Sequence, residues 1–243
     1  MTRTHRLSLM NAAALLTALA ASACSQTSTS PAPSSSAVAV AEERQEGSKT
    51  ETGPKATAPA AASGPEVGKP APDFTLPDLD GKTVQLSQFK GKTVVLEWFN
   101  PDCPFVKANH TKGSLKGMAK RFTDKGIVWL AVNSNAAGKQ GHGADVNRKG
   151  KETYGIDYPI LLDEKGEAGK AYGARTTPHM YIIDPQGVLV YKGAIDNTPG
   201  SDPEPEDKVV NYVETALGEL SAGKPVTTKE TEPYGCSVKY ASK

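Results

Sequence analysis

Strand-like and helix-like segments alternate along most of the chain and then close on a hairpin, an order that predicts an α/β protein with a mixed β-sheet flanked by helices. Three observations carry this expectation. The runs Thr93–Phe99 and Ile127–Val132 are mostly apolar and β-branched, as strands covered on both faces tend to be. Between them Val106, Leu115, Met118 and Phe122 recur on roughly a helical period. Later, His179–Asp184 and Val188–Lys192 alternate in polarity across Asp184-Pro185-Gln186-Gly187, a turn with the chemistry of a hairpin.

The remaining elements follow in order. Phe74–Leu76 and Thr83–Leu86 flank an Asp80-Gly81 turn and predict an N-terminal β-hairpin extension. The helix begun after Cys103 is stopped at Asp124-Lys125-Gly126. Asn135–Gly150 is polar and glycine-rich, which predicts a surface excursion running into a helix near Asp145–Thr153. Tyr158–Leu162 reads as a strand with proline near its start, and Glu167–Tyr172 as a short helix. Glu206–Ser221 carries Val209, Val210, Tyr212, Val213, Ala216, Leu217 and Leu220, which predicts an amphipathic helix.

The 243 residues carry a formal charge of +1, so electrostatics give no reason to expect a nucleic-acid partner. No aromatic residue precedes Phe74, so the first seventy or so residues cannot build a core. Arg3, His5 and Arg6 stand before the apolar stretch Leu7–Ala20, and Ala21-Ser22-Ala23-Cys24 follows. That pattern reads as a secretory signal over residues 1–23, too short and alanine-rich for a permanent membrane span. Small residues before Cys24 resemble a lipoprotein site, with Cys24 lipidated; the alternative is a plain signal-peptidase site beside a spectator cysteine. Residues 24–65, rich in Ser, Thr, Ala and Pro, read as a disordered tether. About forty such residues reach on the order of 35 Å as a random coil. Residues 66–223 form the expected globular domain, and 224–243 a C-terminal tail carrying Cys236.

Two motifs carry a resemblance. VVLEWFNPDCPFV sets Cys103 at a strand end before a helix, and YGARTTPHMYIIDPQGVLVYKG leads a Thr-Pro pair into the hairpin. In this order they resemble the strand-and-cysteine loop and the cis-proline loop of the thioredoxin-like superfamily, in particular its secreted redoxin and peroxiredoxin-like branch, from about Gly68 to Gly223. The resemblance implies a thioredoxin-like sandwich, a cis Thr177-Pro178 peptide facing Cys103, and thiol chemistry without a cofactor. Two departures stand out. Val106 occupies the place of the second cysteine of C-x-x-C, and Leu96 and Asn100 occupy the places of the proline and threonine that precede a peroxidatic cysteine.

A thiol attacks as its anion, and the first turn of a helix, with free N–H groups and the helix dipole, favours that anion. Pro104 suits the first helical position. Asp102 opposes the effect, and Lys107, one turn on, would offset it. Cys103 is therefore expected as an accessible thiolate, against the alternative of a small buried apolar residue. Trp98, Asn100, Pro101, Pro104, Lys107, His110, Thr177 and Pro178 are the expected supporting residues. For Lys107 the plainer reading is a surface lysine, and for His110 a solvated or capping histidine.

Cys236, in TEPYGCSVKY, is the candidate second sulfur: Pro-Tyr-Gly-Cys reads as a turn, and Tyr234, Val238 and Tyr240 give the tail something to dock with. A redox-active Cys103–Cys236 pair, a structural disulfide and unpaired cysteines all remain open at this point. The expected activity is that of a cell-envelope thiol–disulfide oxidoreductase on the periplasmic side, with Cys103 as nucleophile and Cys236 as resolving cysteine. Its partners would be exported proteins or small thiols and disulfides, an upstream redox partner, and the membrane through a lipid anchor. The alternatives are a peroxidase using the same cysteines, and a copper-binding protein holding metal through Cys103, His110, His179 and Cys236.

Overall fold

The structure, a computed structural model, describes residues 64–199 and 208–242. The expected signal segment, the Cys24 lipidation site and nearly all of the tether lie outside the described residues.

The chain opens with β1 (Thr75–Pro77) and β2 (Thr83–Gln85), an antiparallel pair joined through Asp80-Gly81. β3 (Val94–Trp98) is buried along its whole length. Two helices follow, α1 (Pro104–Thr111) and α2 (Met118–Thr123), before β4 (Val128–Asn133) returns parallel to β3. The single helix expected from the Val106-to-Phe122 period is therefore broken. Gly117 takes a left-handed conformation ahead of Met118, and both pieces still turn their apolar residues toward the same core.

Next come α3 (Ala144–Thr153), β5 (Ile160–Leu162) parallel to β4, and α4 (Glu167–Tyr172). The two-residue β6 (Thr176–Thr177) leads through a cis Thr177-Pro178 peptide into β7 (His179–Ile183), antiparallel to β3. β8 (Leu189–Gly193) completes the hairpin, and the main sheet runs β5-β4-β3-β7-β8. α5 (Tyr212–Ser221) starts later than the sequence suggests: Asn211 is its N-cap, with the side chain accepting from the Glu214 N–H.

Alternation along the strands sends neighbouring side chains to opposite faces. Val95, Phe99, Met180 and Ile182 pack on one face with Cys103 and with apolar residues of α1, α2 and α5. Val94, Leu96, Trp98, Tyr181 and Ile183 pack on the other with Phe74, Val84, Ala168 and Tyr172. The C-terminal tail joins both layers, Val226 and Cys236 with the first and Val238 and Tyr240 with the second. The predicted α/β sandwich with a mixed sheet is the fold observed.

Candidate active site

β3 occupies the centre of the sheet, so the loop at its carboxyl end emerges beside β4 and β7 together. That loop holds Cys103. Asn100 folds it: its side-chain oxygen accepts from the Asp102 N–H at 3.0 Å and its carbonyl from the Cys103 N–H at 3.1 Å. Pro101 is buried, with its carbonyl accepting from the Tyr154 hydroxyl at 2.6 Å. Cys103 itself has extended backbone angles (φ −81°, ψ 124°), caps α1, and accepts the helix's first hydrogen bond from the Lys107 N–H at 2.9 Å. Pro104 takes the first helical position, where a missing N–H costs nothing.

The second sulfur arrives from the tail. β9 (Cys236–Ser237) pairs antiparallel with β6, placing Cys236 opposite Thr177 and Ser237 opposite Thr176. Cys103 Sγ and Cys236 Sγ stand 2.7 Å apart as free thiols, and the Cys103 sulfur also lies 3.0 Å from the Thr177 carbonyl. The Phe105 backbone N–H, in the first turn of α1, acts to favour the Cys236 thiolate. Burial, followed by the contact with Cys103, pushes the Cys236 thiol up to about 12.

The tail is anchored on both sides of Cys236. Upstream, the Thr231 hydroxyl accepts from the Ala194 N–H and meets the Tyr191 hydroxyl at 2.7 Å, while the Tyr234 hydroxyl donates to Asp196 at 2.8 Å. Downstream, the Val238 N–H donates to the Arg175 carbonyl, the Lys239 N–H donates to the Asn135 side-chain oxygen while its carbonyl accepts from the Ala136 N–H, and the Tyr240 hydroxyl donates to the Ala174 carbonyl at 2.8 Å. The segment expected as a surface excursion is thus buried at its start, at Asn135 and Ala136, and receives the tail there.

Several expectations are corrected. Cys103 is not an accessible thiol: none of its surface reaches solvent, because the tail paired to β6 lies over it. Trp98 does not line the site. It faces the opposite core, donates to the Ser134 hydroxyl and packs against Tyr172 and Tyr181. His110 is neither solvated nor a cap; it is buried on the inner face of α1 with Nε2 2.7 Å from Glu97 Oε1 and its ring stacked on Tyr154. His179, one residue out of phase with Met180 on β7, points away from Cys103, and its Nδ1 is engaged by the Arg175 N–H and the Tyr181 hydroxyl. The copper set Cys103, His110, His179 and Cys236 is therefore not assembled. Among the described residues no three His, Cys, Asp or Glu side chains stand together as metal ligands. Lys107 is exposed on α1 and forms none of the described ion pairs.

Glu97 is the residue that the sequence reading missed. It lies on β3 with no exposed surface, and its carboxylate gathers His110, the Tyr158 hydroxyl at 2.9 Å and Trp129 Nε1 at 3.4 Å. An acidic side chain so buried persists only where partners replace water. Burial and then the Glu97 charge hold the Tyr158 phenol well above its usual range. The available signal was an acid in the middle of a run otherwise fit for a doubly covered strand.

A model of the Redoxin family matches residues 66–211. The chain belongs to the Redoxin family. Over 126 residues it is 28% identical to a protein named thiol-disulfide oxidoreductase ResA from Bacillus thuringiensis subsp. konkukian, covering 51% of this chain and 68% of that one. Over 131 residues it is 34% identical to chloroplastic peroxiredoxin Q of Triticum aestivum, covering 51% of this chain and 57% of the relative. An uncharacterised conserved protein of Geobacillus kaustophilus superposes with a TM-score of 0.66 at 32% identity, over 73% of this chain and 94% of that one. A hypothetical protein of Sinorhizobium meliloti superposes at 0.64 with 27% identity, over 73% and 96%. Within this Redoxin, the cysteine loop and the cis-proline loop both fall inside the matched span, whereas Cys236 falls outside it.

Proposed function

We propose that this Redoxin is a thiol–disulfide oxidoreductase whose working couple is Cys103 and Cys236. One observation carries the reading: two free sulfurs 2.7 Å apart, 133 residues separated in sequence, one at the head of a helix and the other on a strand that pairs beside the cis-proline peptide. A structural staple would not require the helix start or the proline at the first helical position. As a reductant the dithiol transfers two electrons to a substrate disulfide and ends as the Cys103–Cys236 disulfide; as an oxidant it runs the reverse. Substrates would be exported proteins or small disulfides. Residence at the periplasmic face through a lipid on Cys24 rests on the N-terminal sequence pattern.

Incubation with a test disulfide and limiting dithiothreitol checks the reading. The wild-type chain turns over, and peptide mapping of the oxidised product shows Cys103 linked to Cys236. Cys103→Ser and Cys236→Ser each lose turnover by at least about a hundred-fold, on the scale set by losing one of two obligatory sulfurs. A wild-type chain that forms the bond yet never exchanges it with dithiothreitol would leave only a structural disulfide. Hydrogen peroxide in place of the disulfide examines the peroxidase alternative. With Asn100 and Leu96 where threonine and proline would orient a peroxide, its turnover is expected to fall below that of the disulfide.

A further inference from the structure

The two sulfurs are not equally open to a partner. Cys103 has no solvent-exposed surface, while Cys236 is partly exposed. The cover is the tail itself. By pairing with Thr176 and Thr177, β9 uses the backbone edge that an extended peptide would need in order to lie across Cys103. The tail is fastened by Thr231 and Tyr234 before Cys236 and by Val238, Lys239 and Tyr240 after it, and its covalent attachment gives it a standing advantage over any free peptide.

We propose that exchange with outside thiols and disulfides takes place at Cys236, with Cys103 as the internal sulfur that leaves and returns. The inference rests on the Cys103–Cys236 couple argued above and fixes the order of its steps. Starting from the oxidised couple, a thiolate of a dithiol partner attacks Cys236 Sγ. The Cys103–Cys236 bond breaks, its electron pair departs on Cys103 Sγ, and a mixed disulfide joins the partner to Cys236. The partner's second thiolate then attacks its own sulfur in that bond, releasing Cys236, which takes up a proton. Two electrons have passed to the couple and the partner is left oxidised. In the reverse direction Cys236 takes the partner's sulfur first, and Cys103 is the nucleophile that displaces the partner.

The position of the departing sulfur agrees with the exposure. Attack on Cys236 expels Cys103, which departs at the head of α1, beside the positive end of the helix dipole. Attack on Cys103 would have to pass the tail that pairs with β6 and leaves Cys103 no exposed surface. The partner this site fits is a dithiol on a protruding turn or a small thiol, since the β6 edge is already paired. This reverses the order expected from the sequence, in which Cys103 meets the substrate first.

The test uses the full chain with Cys24→Ser, oxidised, then exposed briefly to glutathione, acid-quenched, alkylated with N-ethylmaleimide and peptide-mapped. The expected product carries glutathione on Cys236 and maleimide on Cys103, in at least ten-fold excess over the opposite pattern. The same experiment with Tyr240→Ala, which loosens the tail, is expected to move that ratio toward unity. Glutathione found chiefly or equally on Cys103 in the tail-intact chain overturns the inference and leaves the couple standing. A ratio unchanged by Tyr240→Ala overturns it as well, since cover by the tail is then not the cause. If the oxidised chain contains no Cys103–Cys236 bond, the couple itself falls, and the order of steps falls with it.

Discussion

A neutral imidazole is built into the strand that leaves the cis-proline peptide. His179 Nδ1 accepts from the Arg175 N–H at 3.4 Å and stands 3.1 Å from the Tyr181 hydroxyl, so a proton there would displace a donor. Burial first, then the charges of Arg175 and Lys192, depress its affinity for a proton to about 3. An unfolded histidine titrates near 6.5. Between these two values the unfolded chain binds a proton that the folded chain refuses, so stability is whole above pH 6.5 and is lost as pH falls toward about 3. The slope from one such group approaches about 1.4 kcal/mol per pH unit. Urea midpoints measured from pH 7 down to 4 should fall for the wild type and fall less steeply for His179→Gln. Parallel profiles would show that His179 is not the group responsible. On the other face of the sheet the buried Glu97 side chain is met by His110, Tyr158 and Trp129.

At the scale of elements, β9 is two residues long and still decides what can reach Cys103. Its approach to β6 depends on Gly235, at φ +127°, where an added Cβ would fall inside contact distance of the Thr177 carbonyl. Gly235→Ala should therefore unseat β9 without touching either sulfur. The expected outcome is faster alkylation of Cys103 by iodoacetamide in the reduced protein, by roughly ten-fold for about 1.4 kcal/mol of lost docking. An unchanged rate would mean that the strand shifts to accept the methyl group. This dependence also marks what was legible in the sequence. β3, β4, β7 and β8 could be read because burial on both faces and hairpin alternation are local patterns. The break between α1 and α2 was hidden because both pieces present apolar residues to one core, so the period survives the interruption. Glu97 and the receiving role of Asn135 were out of reach for another reason. Their partners lie 13 to 104 residues away, and nothing in local pattern announces them.

For the whole molecule, the couple links the middle of the chain to its end. A bond between Cys103 and Cys236 closes a loop of 133 residues, a separation that the chain-entropy account values at about 5 kcal/mol. The sulfurs already lie side by side and the tail is fastened at five residues around them, so the native fold needs little rearrangement to accept the bond. Most of that gain should therefore be realised. Stability and redox state are then linked: whatever the bond adds to the fold, the fold returns as resistance of the bond to reduction, compared with the same pair in an unfolded chain. For a domain of this size about 5 kcal/mol corresponds to a rise in Tm of roughly 10 to 20 °C. Thermal unfolding of the full chain with Cys24→Ser, followed with and without excess dithiothreitol, should show that rise in the oxidised sample. Cys236→Ser should melt at one temperature under both conditions, close to the reduced protein. A gap of only a degree or two would mean that the tail stays docked in the unfolding intermediate or that the bond strains the native state. A gap persisting in Cys236→Ser would place the redox effect on some group other than this pair.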